Sequence, residues 1–320
     1  MTPVVNQWMW EQKYRPQTLK DCILPELDIK TFKGMIKEGR LPHTLLVSKS
    51  PGTGKTTIAH VLCNEIQAEV LFVNGADCTL DEIRGKITNF ASTRSLSPGG
   101  KVIIIDEFDR KQLVNSQMHM RSFMEAYSHN CSVLITANNI DGIIEPLQSR
   151  CNVIEFGRAT EKDRKRMMLE MIMRCLKICE LENVEVPDVG KRSVAVLVKK
   201  NFPDFRSCIT QLNRYGKSGI IDEGLLSQIT AATQDMDSLI TAMRNKKFAD
   251  FRALVPNLAT DYQAFITKFY ERMFVEVEPK SLPLIIEAIG RNQATYDSVA
   301  NLEIHITWLL TEIMLEASWK

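Results

Sequence analysis

Five short apolar runs stand out in the first half of the chain, at residues 45–47, 70–73, 102–105, 133–136 and 153–156. Each run is nearly continuous rather than alternating, which is typical of strands that are covered on both faces. Helical patterns lie between the runs. The sequence therefore predicts an α/β fold, with a parallel sheet that is flanked by helices on each side.

Beyond residue 160 the strand pattern gives way to helical periodicity, at residues 161–180, 193–200, 206–215 and through most of the remaining chain. Prolines interrupt helices, so we expect breaks at Pro187, Pro203, Pro256 and Pro283. The change of pattern predicts three domains. They are an α/β domain over residues 1–157, a small helical domain over 158–230 and a second helical domain over 231–320.

The last predicted helix, at residues 299–318, carries two apolar stripes at helical spacing. They consist of Leu302, Ile306, Leu309 and Ile313 in the first stripe and Ile304, Trp308 and Leu315 in the second. The surface helix of a monomer needs only one stripe. Two interpretations stand equal on this pattern: a central helix of its own domain, or a helix that also packs against a neighbouring subunit.

The composition is that of an ordinary globular protein, with 44% hydrophobic and 25% charged residues in a chain of 320. The formal net charge is +1, so binding of nucleic acid would require a local basic patch. The N-terminus lacks the unbroken apolar core of a signal peptide, and no apolar run is long enough to span a bilayer. We therefore expect a cytoplasmic protein.

The eight cysteines do not suggest a zinc site, because none of them forms a C-x-x-C pair. Reduced thiols that pack in the core are the simpler interpretation. Cys175 and Cys179 are placed on one face of a predicted helix, where we expect both to pack.

The sequence Ser-Pro-Gly-Thr-Gly-Lys-Thr follows the first apolar run, at residues 50–56. The glycines allow backbone N–H groups to turn around an anion, Lys55 can reach terminal phosphates, and the Thr56 hydroxyl can hold Mg²⁺. The next helix directs its positive end at the phosphates. Lys49 departs from the usual motif, since a glycine is expected there. The predicted nucleoside triphosphate site comprises Pro51, Gly52, Thr53, Gly54, Lys55, Thr56 and Thr57.

Two carboxylates, Asp106 and Glu107, directly follow the third apolar run. In a parallel sheet this position is the carboxyl edge, where ligands bind. Asp106 can hold Mg²⁺ or its waters, and Glu107 can polarise a water for attack on the γ-phosphate. Downstream of a phosphate loop, the pair predicts phosphoryl transfer to water.

Two further polar positions have less specific patterns. Asn138 follows the fourth run, where its amide can orient the attacking water or simply begin a turn together with Asn139, and the residues alone do not decide. Arg150 lies in the string Glu-Pro-Leu-Gln-Ser-Arg-Cys at 145–151. Taken alone, an arginine at such a position is more often a surface ion pair or a helix cap than a catalytic group.

In this order, the motifs resemble those of the AAA+ ATPases and, among them, the clamp loaders. The segment Glu-Gln-Lys-Tyr-Arg-Pro at 11–16 is similar to the family's E-K-Y-R-P signature, with Gln12 inserted, and the string at 145–151 is the most family-specific piece. The resemblance covers essentially the whole chain and is greatest to clamp-loader ATPase (small) subunits of T-even-type bacteriophages. It implies an AAA+ P-loop domain, an all-α lid domain and an all-α collar domain that serves oligomerisation.

The resemblance also implies roles for single residues. Arg150 would be an arginine finger that acts in trans on ATP held by the adjacent subunit, and Arg206 would be the second sensor, reaching from the lid to its own subunit's phosphates. Asn138 matches the first sensor, and Tyr14 would lie near the adenine. Arginine fingers typically contribute about 10³–10⁵ in rate, so hydrolysis would depend on assembly.

Arg84 and Lys86 lie in a segment, residues 81–86, that resembles the family's DNA-facing helix start. Phosphate contacts there would give affinity without base specificity, and an ordinary solvated helix start is the alternative. The family further implies ATP and Mg²⁺ as cofactors, primer–template DNA and a trimeric, ring-shaped sliding clamp. It also implies roughly four copies of the chain with one different, non-catalytic subunit, in the host cytoplasm if the gene is a phage's.

Other functions fit parts of the pattern. A DNA-translocating AAA+ motor, helicase-like or an unfoldase, is one, but residues 74–100 lack the aromatic-hydrophobic-glycine triplet that is usual in unfoldase pore loops. An inactive nucleotide-binding scaffold is another, and the intact Lys55, Thr56, Asp106, Glu107 and Arg150 argue against it. A small-molecule kinase is disfavoured because no domain for an acceptor substrate follows the core.

Overall fold

The computed structural model describes residues 8–48, 52–155, 159–221, 223–258 and 262–320. Each predicted apolar run forms a strand, although Phe156 lies outside the described residues. The strands are β1 (Thr44–Val47), β2 (Glu69–Asn74), β3 (Lys101–Asp106), β4 (Cys131–Ala137) and β5 (Asn152–Glu155). They form one parallel sheet in the order β2-β3-β4-β1-β5, which confirms the predicted fold class.

The strands differ in how far they are covered. β4 and β1 are buried along their whole length, and β3 is buried up to its last residue. In β2, by contrast, Val70 and Phe72 are 36% and 42% exposed, and in β5 Val153 is 37% exposed. The expectation that every strand is covered on both faces is therefore wrong for β2 and β5, because both lie at the edges of the sheet.

Helices cover the middle of the sheet on both faces. Phe32 and Ile58 pack with Leu46 on one side, while Met120 packs with Ile135 on the other. A π-helical turn, Ile83–Ile87, joins α4 to α5. The helices of this region are α1 (Trp10–Lys13), α2 (Glu26–Lys37), α3 (Lys55–Glu65), α4 (Leu80–Glu82), α5 (Thr88–Ser92), α6 (Val114–Tyr127) and α7 (Glu145–Gln148).

Three helices follow the sheet within the same compact unit: α8 (Glu161–Leu181), α9 (Asp188–Asn201) and α10 (Phe205–Gly216). Thr160 and Asp163 form a reciprocal capping box at the start of α8, which satisfies backbone donors that the helix itself leaves open. Cys175 and Cys179 are both buried on α8, as the sequence predicts.

The chain divides into two compact units, Met1–Asp222 and Glu223–Lys320. The second unit has its own apolar core. The predicted boundary between residues 230 and 231 falls inside its first helix, and the division into three domains stays a prediction. The helices of this unit are α11 (Glu223–Arg244), α12 (Phe248–Leu258), α13 (Tyr262–Glu276), α14 (Leu282–Ala294) and α15 (Leu302–Glu316).

The prolines do not all break helices. Pro187 directly precedes α9, and Pro283 occupies the first turn of α14, where a missing N–H costs nothing. Pro256 lies inside α12, so the expected break there is wrong. The helix ends two residues later, at Leu258, which limits the disturbance to its last turn.

The two stripes of α15 have different surroundings. Ile306, Leu309 and Ile313 are fully buried in the core of the second unit. The other stripe is exposed, with Ile304 at 68%, Trp308 at 48% and Leu315 at 64%. The first stripe of α15 thus packs in the core while the second is exposed, so a central helix of its own domain does not account for the second stripe.

Candidate nucleotide site

The described part of the phosphate loop begins at Gly52, because Lys49, Ser50 and Pro51 lie outside the described residues. Gly52 and Gly54 have φ angles of 67° and 96°, in the left-handed region that favours glycine. A Cβ on Gly52 would also lie 1.7 Å from Oδ1 of Asp204, the residue that caps α10. The loop therefore requires glycine at Gly52 both for its backbone and for its contact with the helical region.

Lys55 is the first residue of α3 and is only 8% exposed. Its ammonium group donates a hydrogen bond to the carbonyl oxygen of Ser48 at 3.2 Å. Burial lowers the pKa of Lys55, and the nearby carboxylate of Asp106 opposes that shift. A buried cation at a helix N-terminus is suited to an anionic ligand, because bound phosphate would offset the cost of desolvation.

Thr56 and Asp106 form the candidate cation site. The Thr56 hydroxyl donates to Asp106 Oδ1 at 2.6 Å, and the Thr136 hydroxyl donates to the same oxygen at 2.6 Å. Mg²⁺ is usually held by one or two carboxylates together with substrate phosphates and water. A carboxylate and a hydroxyl oxygen beside a phosphate loop fit that requirement.

Glu107 has a left-handed backbone with φ 57°, a conformation that costs a non-glycine residue about 1–2 kcal/mol. Its N–H donates to the Thr136 hydroxyl at 3.0 Å, and its carboxylate accepts from Arg110 at 3.2 Å. The side chain is about half exposed, so water can reach it. A Cβ on Gly75 would lie 2.4 Å from the carbonyl oxygen of Glu107, so this turn also needs glycine beside it.

The loop after β4 is hydrogen-bonded to the segment that begins at the end of β3, which we call the carboxylate loop (residues 106–109). Asp109 Oδ2 accepts hydrogen bonds from the backbone N–H groups of Asn138 at 2.8 Å and Asn139 at 2.7 Å. The Asn139 side chain caps the following turn by accepting from Asp141 N–H at 3.1 Å, whereas Asn138 is exposed at the carboxyl edge of the sheet. The turn-forming role thus belongs to Asn139, and water orientation by Asn138 stays a prediction.

A cavity of about 490 Å³ lies between this edge of the sheet and helices α8 and α10. Pockets for small ligands typically measure roughly 300–1,000 Å³, so its size suits a nucleotide. The predicted residues that line it are Tyr14, Gly52, Thr53, Gly54, Thr56, Thr57, Asp106 and Arg206.

The N-terminal segment connects the two walls of the cavity. The Tyr14 hydroxyl donates to Glu182 Oε1 at 2.6 Å, and the Lys13 ammonium lies 2.7 Å from the same oxygen. Burial, then the hydrogen bond to Glu182, raises the pKa of Tyr14. Arg15 donates to the Thr57 hydroxyl at 3.0 Å, and burial lowers its pKa while Asp106 opposes the shift.

The two predicted arginines occupy different places. Arg206, in the first turn of α10, is exposed and lines the cavity. Arg150 is not among the described residues that line it. Its guanidinium pairs with Glu125 on α6, with Nε 2.8 Å from Oε1, and donates to the Pro146 carbonyl oxygen at 2.7 Å. Within its own chain Arg150 therefore makes a surface ion pair, and its role in trans stays a prediction.

The predicted DNA-binding residues lie in the π-helical turn between α4 and α5. Arg84 and Lys86 are both exposed, and Lys86 pairs with Glu82 at 3.0 Å. Neither residue lines the cavity. π-Helical turns are frequent at functional sites, but contact with DNA stays a prediction.

Three residues at the site carried no assigned role in the sequence: Arg15, Thr136 and Glu182. In the sequence, Thr136 is the last residue of an apolar run. A polar residue at that position was the only local sign of a role at the site. In the sequence, Arg15 is only one letter of the segment at 11–16 that resembles the family signature. Glu182 is 168 residues from its partner Tyr14, so no local pattern could join them.

The cysteines are all free thiols. Burial raises the pKa of Cys63, Cys78 and Cys131 to about 12, which disfavours the reactive thiolate. Across the described ranges, no group of three or more His, Cys, Asp or Glu side chains is placed to hold a metal ion, and no helix is long and apolar enough to cross a membrane.

Three family models match successive parts of the chain. The ATPase family associated with various cellular activities (AAA) matches residues 45–158. The sliding-clamp-loader large subunit, AAA+ ATPase lid domain, matches 163–227, and the C-terminal domain of the same subunit matches 261–318. The likeness to clamp loaders thus extends through both helical regions.

Whole-chain relatives agree with these matches. The sliding-clamp-loader large subunit of Escherichia phage RB69 is 50% identical over 311 residues, and that of Enterobacteria phage T4 is 48% identical over 310 residues. Each alignment covers 97% of both chains. The replication factor C small subunit of Archaeoglobus fulgidus is 32% identical over 85% of both chains. The phage relatives carry the name large subunit, which differs from the size label expected from the sequence.

Among solved structures, the Thermotoga maritima RuvB Holliday junction branch migration motor matches with a TM-score of 0.54 at 19% identity. The match covers 80% of this chain and 91% of RuvB, and it concerns the fold alone. The AAA match supports nucleotide binding and ATPase activity. With half of its residues identical to a phage relative along nearly its whole length, the chain belongs to the sliding-clamp-loader large-subunit family of AAA+ ATPases.

Proposed function

We propose that the chain is the ATPase subunit of a sliding-clamp loader and hydrolyses ATP in the cavity between the sheet edge and helices α8 and α10. The observation that carries this proposal is the meeting of Lys55, Thr56, Asp106 and Glu107 at the carboxyl edge of the sheet. The cavity beside them has the size of a nucleotide pocket. Thr56 and Asp106 line this cavity, and Lys55 and Glu107 directly adjoin them in the chain without being among its described lining residues.

In this proposal Lys55 and the N-terminal turn of α3 bind the phosphates. Thr56 and Asp106 hold Mg²⁺, which supplies neutralisation of phosphate charge when bound. The Glu107 carboxylate accepts a proton from water as the water oxygen bonds to the γ-phosphorus. The bond between that phosphorus and the β–γ bridging oxygen breaks, so that ADP leaves with the electron pair and inorganic phosphate forms. The Asn138 amide orients the water.

Two arginines complete the proposed reaction. Arg206 lines the cavity, where its guanidinium would bind the phosphates of ATP held by its own chain. Arg150 serves the site of a neighbouring copy, where a γ-phosphate replaces Glu125 as its anionic partner. The exchange of one anion for another would keep the guanidinium paired in both states. Hydrolysis would then require assembly of several chains.

The names of the phage relatives, which are sliding-clamp-loader subunits, support a sliding clamp as a partner. We propose a complex of roughly four copies with one different, non-catalytic subunit, in which the exposed stripe of α15 contacts a neighbour. ATP binding opens and holds a trimeric ring-shaped clamp together with primer–template DNA. Arg84 and Lys86 contact DNA phosphates. DNA then triggers hydrolysis, which releases the closed clamp for processive replication.

An ATPase assay of the assembled complex, with and without primer–template DNA and clamp, tests this function. We expect turnover to rise most when both are present. A translocating motor would respond to DNA without needing the clamp. Glu107→Gln is the control for the site, because it should bind ATP yet hydrolyse it about 10²–10⁴-fold more slowly. An inactive scaffold would show no turnover that depends on Glu107.

A further inference from the structure

Thr136 is the penultimate residue of β4 and is fully buried. β4 lies between β3, which leads to the carboxylates, and β1, which leads to the phosphate loop. In the register of the sheet Thr136 stands opposite Leu46 of β1, and Ile135 stands opposite Ile105 of β3. Thr136 therefore lies directly beside Asp106, on the strand between the two loops of the site.

The hydroxyl of Thr136 makes hydrogen bonds to both carboxylate residues, Asp106 and Glu107. It donates to Asp106 Oδ1 at 2.6 Å and accepts from the Glu107 N–H at 3.0 Å. A buried hydroxyl is costly unless its hydrogen bonds are made, and a valine would fill the same volume without that need. The polar side chain in this apolar strand is therefore explained by its two partners.

The Thr136 hydroxyl also bonds to Glu107 at the point where the Glu107 backbone is unfavourable. The left-handed backbone at φ 57° is unfavourable for a glutamate and persists only where its surroundings hold it. The Thr136 hydroxyl accepts the Glu107 N–H in that conformation. Loss of this acceptor would let the backbone relax toward negative φ, and the carboxylate would move with it.

Asp106 depends on the hydroxyl in a second way. Its Oδ1 accepts from both Thr56 and Thr136. If Thr56 turns its oxygen toward a cation, the hydrogen bond from Thr136 still orients the carboxylate. Thr136 is fully buried and is not among the described residues that line the cavity, so it reaches the cavity through Asp106, which does line it.

We propose that Thr136 is a positioning residue: its single hydroxyl holds Asp106 and Glu107 together in the arrangement that hydrolysis requires. This inference rests on the proposed function, because it assigns Thr136 a role through the carboxylates of that site. Residues that orient a metal ligand or a catalytic group from behind typically contribute about 10–100-fold.

Two matched pairs of variants test the hydroxyl alone. Thr136→Val preserves the branched shape and removes the oxygen, and Thr136→Ser and Thr136→Ala differ from each other only by the oxygen. We expect kcat to be about 10–100-fold lower in Thr136→Val than in wild type, and lower by the same factor in Thr136→Ala than in Thr136→Ser. ATP affinity without Mg²⁺ should stay within about threefold of wild type, since Lys55 and the loop are untouched. If Thr136→Val does not fold, the Ser and Ala pair gives the same comparison.

Hydrogen exchange without nucleotide supplies a readout that is independent of turnover. The Glu107 amide should exchange faster in the Val and Ala variants and at the wild-type rate in the Ser variant, because only the hydroxyl accepts its proton. Equal kcat and equal exchange within both pairs would overturn the inference.

Glu107→Gln separates this inference from the proposed function. If Glu107→Gln retained wild-type turnover, the assignment of the site itself would be wrong. If Glu107→Gln lost turnover while the hydroxyl-free variants kept it, only the role of Thr136 would be wrong.

Discussion

The carboxyl edge of the sheet and the outer face of α15 depart from ordinary packing in opposite ways. At the sheet edge, Lys55 and Thr136 are polar and buried, and both make hydrogen bonds inside the chain. On α15, Trp308 and Leu315 are apolar and exposed. Buried polar groups are retained where they are satisfied and used, whereas exposed apolar patches mark interaction surfaces. We therefore propose that the first region serves chemistry and the second serves association.

The proposed role of Arg150 involves both chemistry and association, because it acts on ATP that is bound to a second chain. Arg150→Ala should bind ATP normally but lose about 10³–10⁵ of the DNA-stimulated rate, measured in the assembled complex with clamp and DNA. Arg121→Ala is the matched control, since Arg121 also faces Glu125, at 3.9 Å. A stimulated rate near wild type in Arg150→Ala, or an equal loss in Arg121→Ala, would contradict the finger role.

Substitution of Lys55 tests whether the buried polar groups bind a ligand. Lys55→Ala should weaken ATP binding at least about 100-fold in a nucleotide titration, because a charge-assisted contact is lost. Lys101→Met is the control. Lys101 is also strongly buried, but it is the first residue of β3, far from the carboxyl edge, and its ammonium donates to the carbonyl oxygen of Phe90 at 2.7 Å. Lys101→Met should lower stability without changing ATP affinity. Wild-type affinity in Lys55→Ala would refute the assignment of the phosphate loop.

A substitution in the exposed stripe of α15 tests whether this apolar surface is a subunit contact. Trp308→Ser should weaken assembly of the complex, seen as a shift to smaller species in sedimentation at micromolar concentration, with little change in ATP affinity. Leu169→Ser on α8 is the control, because Leu169 is 62% exposed and lies outside α15. If both variants assembled like wild type, the stripe would not be a subunit contact.

The smallest effect is expected from the link between Tyr14 and Glu182. The hydrogen bond from Lys13, then that from Tyr14, lowers the pKa of Glu182 below its ordinary value of 4.5. A carboxylate with a lowered pKa adds stability above its unfolded pKa and loses it as the pH falls through the folded pKa. Glu182→Gln should therefore lower Tm slightly at pH 7 and not at all well below pH 4.5. An unchanged difference at low pH would contradict this link.

Local patterns predicted much of the fold. The strand runs, the helical regions and the phosphate loop all depend on residues that are neighbours in sequence, so periodicity and motif spacing were sufficient. The errors arose where surroundings mattered. β2 and β5 have apolar sequences but lie at the edges, and Pro256 is tolerated because α12 ends soon after it.

By itself, the sequence determined which groups we propose for the chemistry: a lysine and threonine in a glycine loop, and two carboxylates at the end of a strand. Only the tertiary structure decided how they are held. Thr136 meets Asp106 and Glu107 because β4 lies beside β3, and Tyr14 meets Glu182 across 168 residues. Hydrophobic periodicity sets which residues form strands but not the order of those strands, and it is the order that brings distant polar groups within hydrogen-bonding distance.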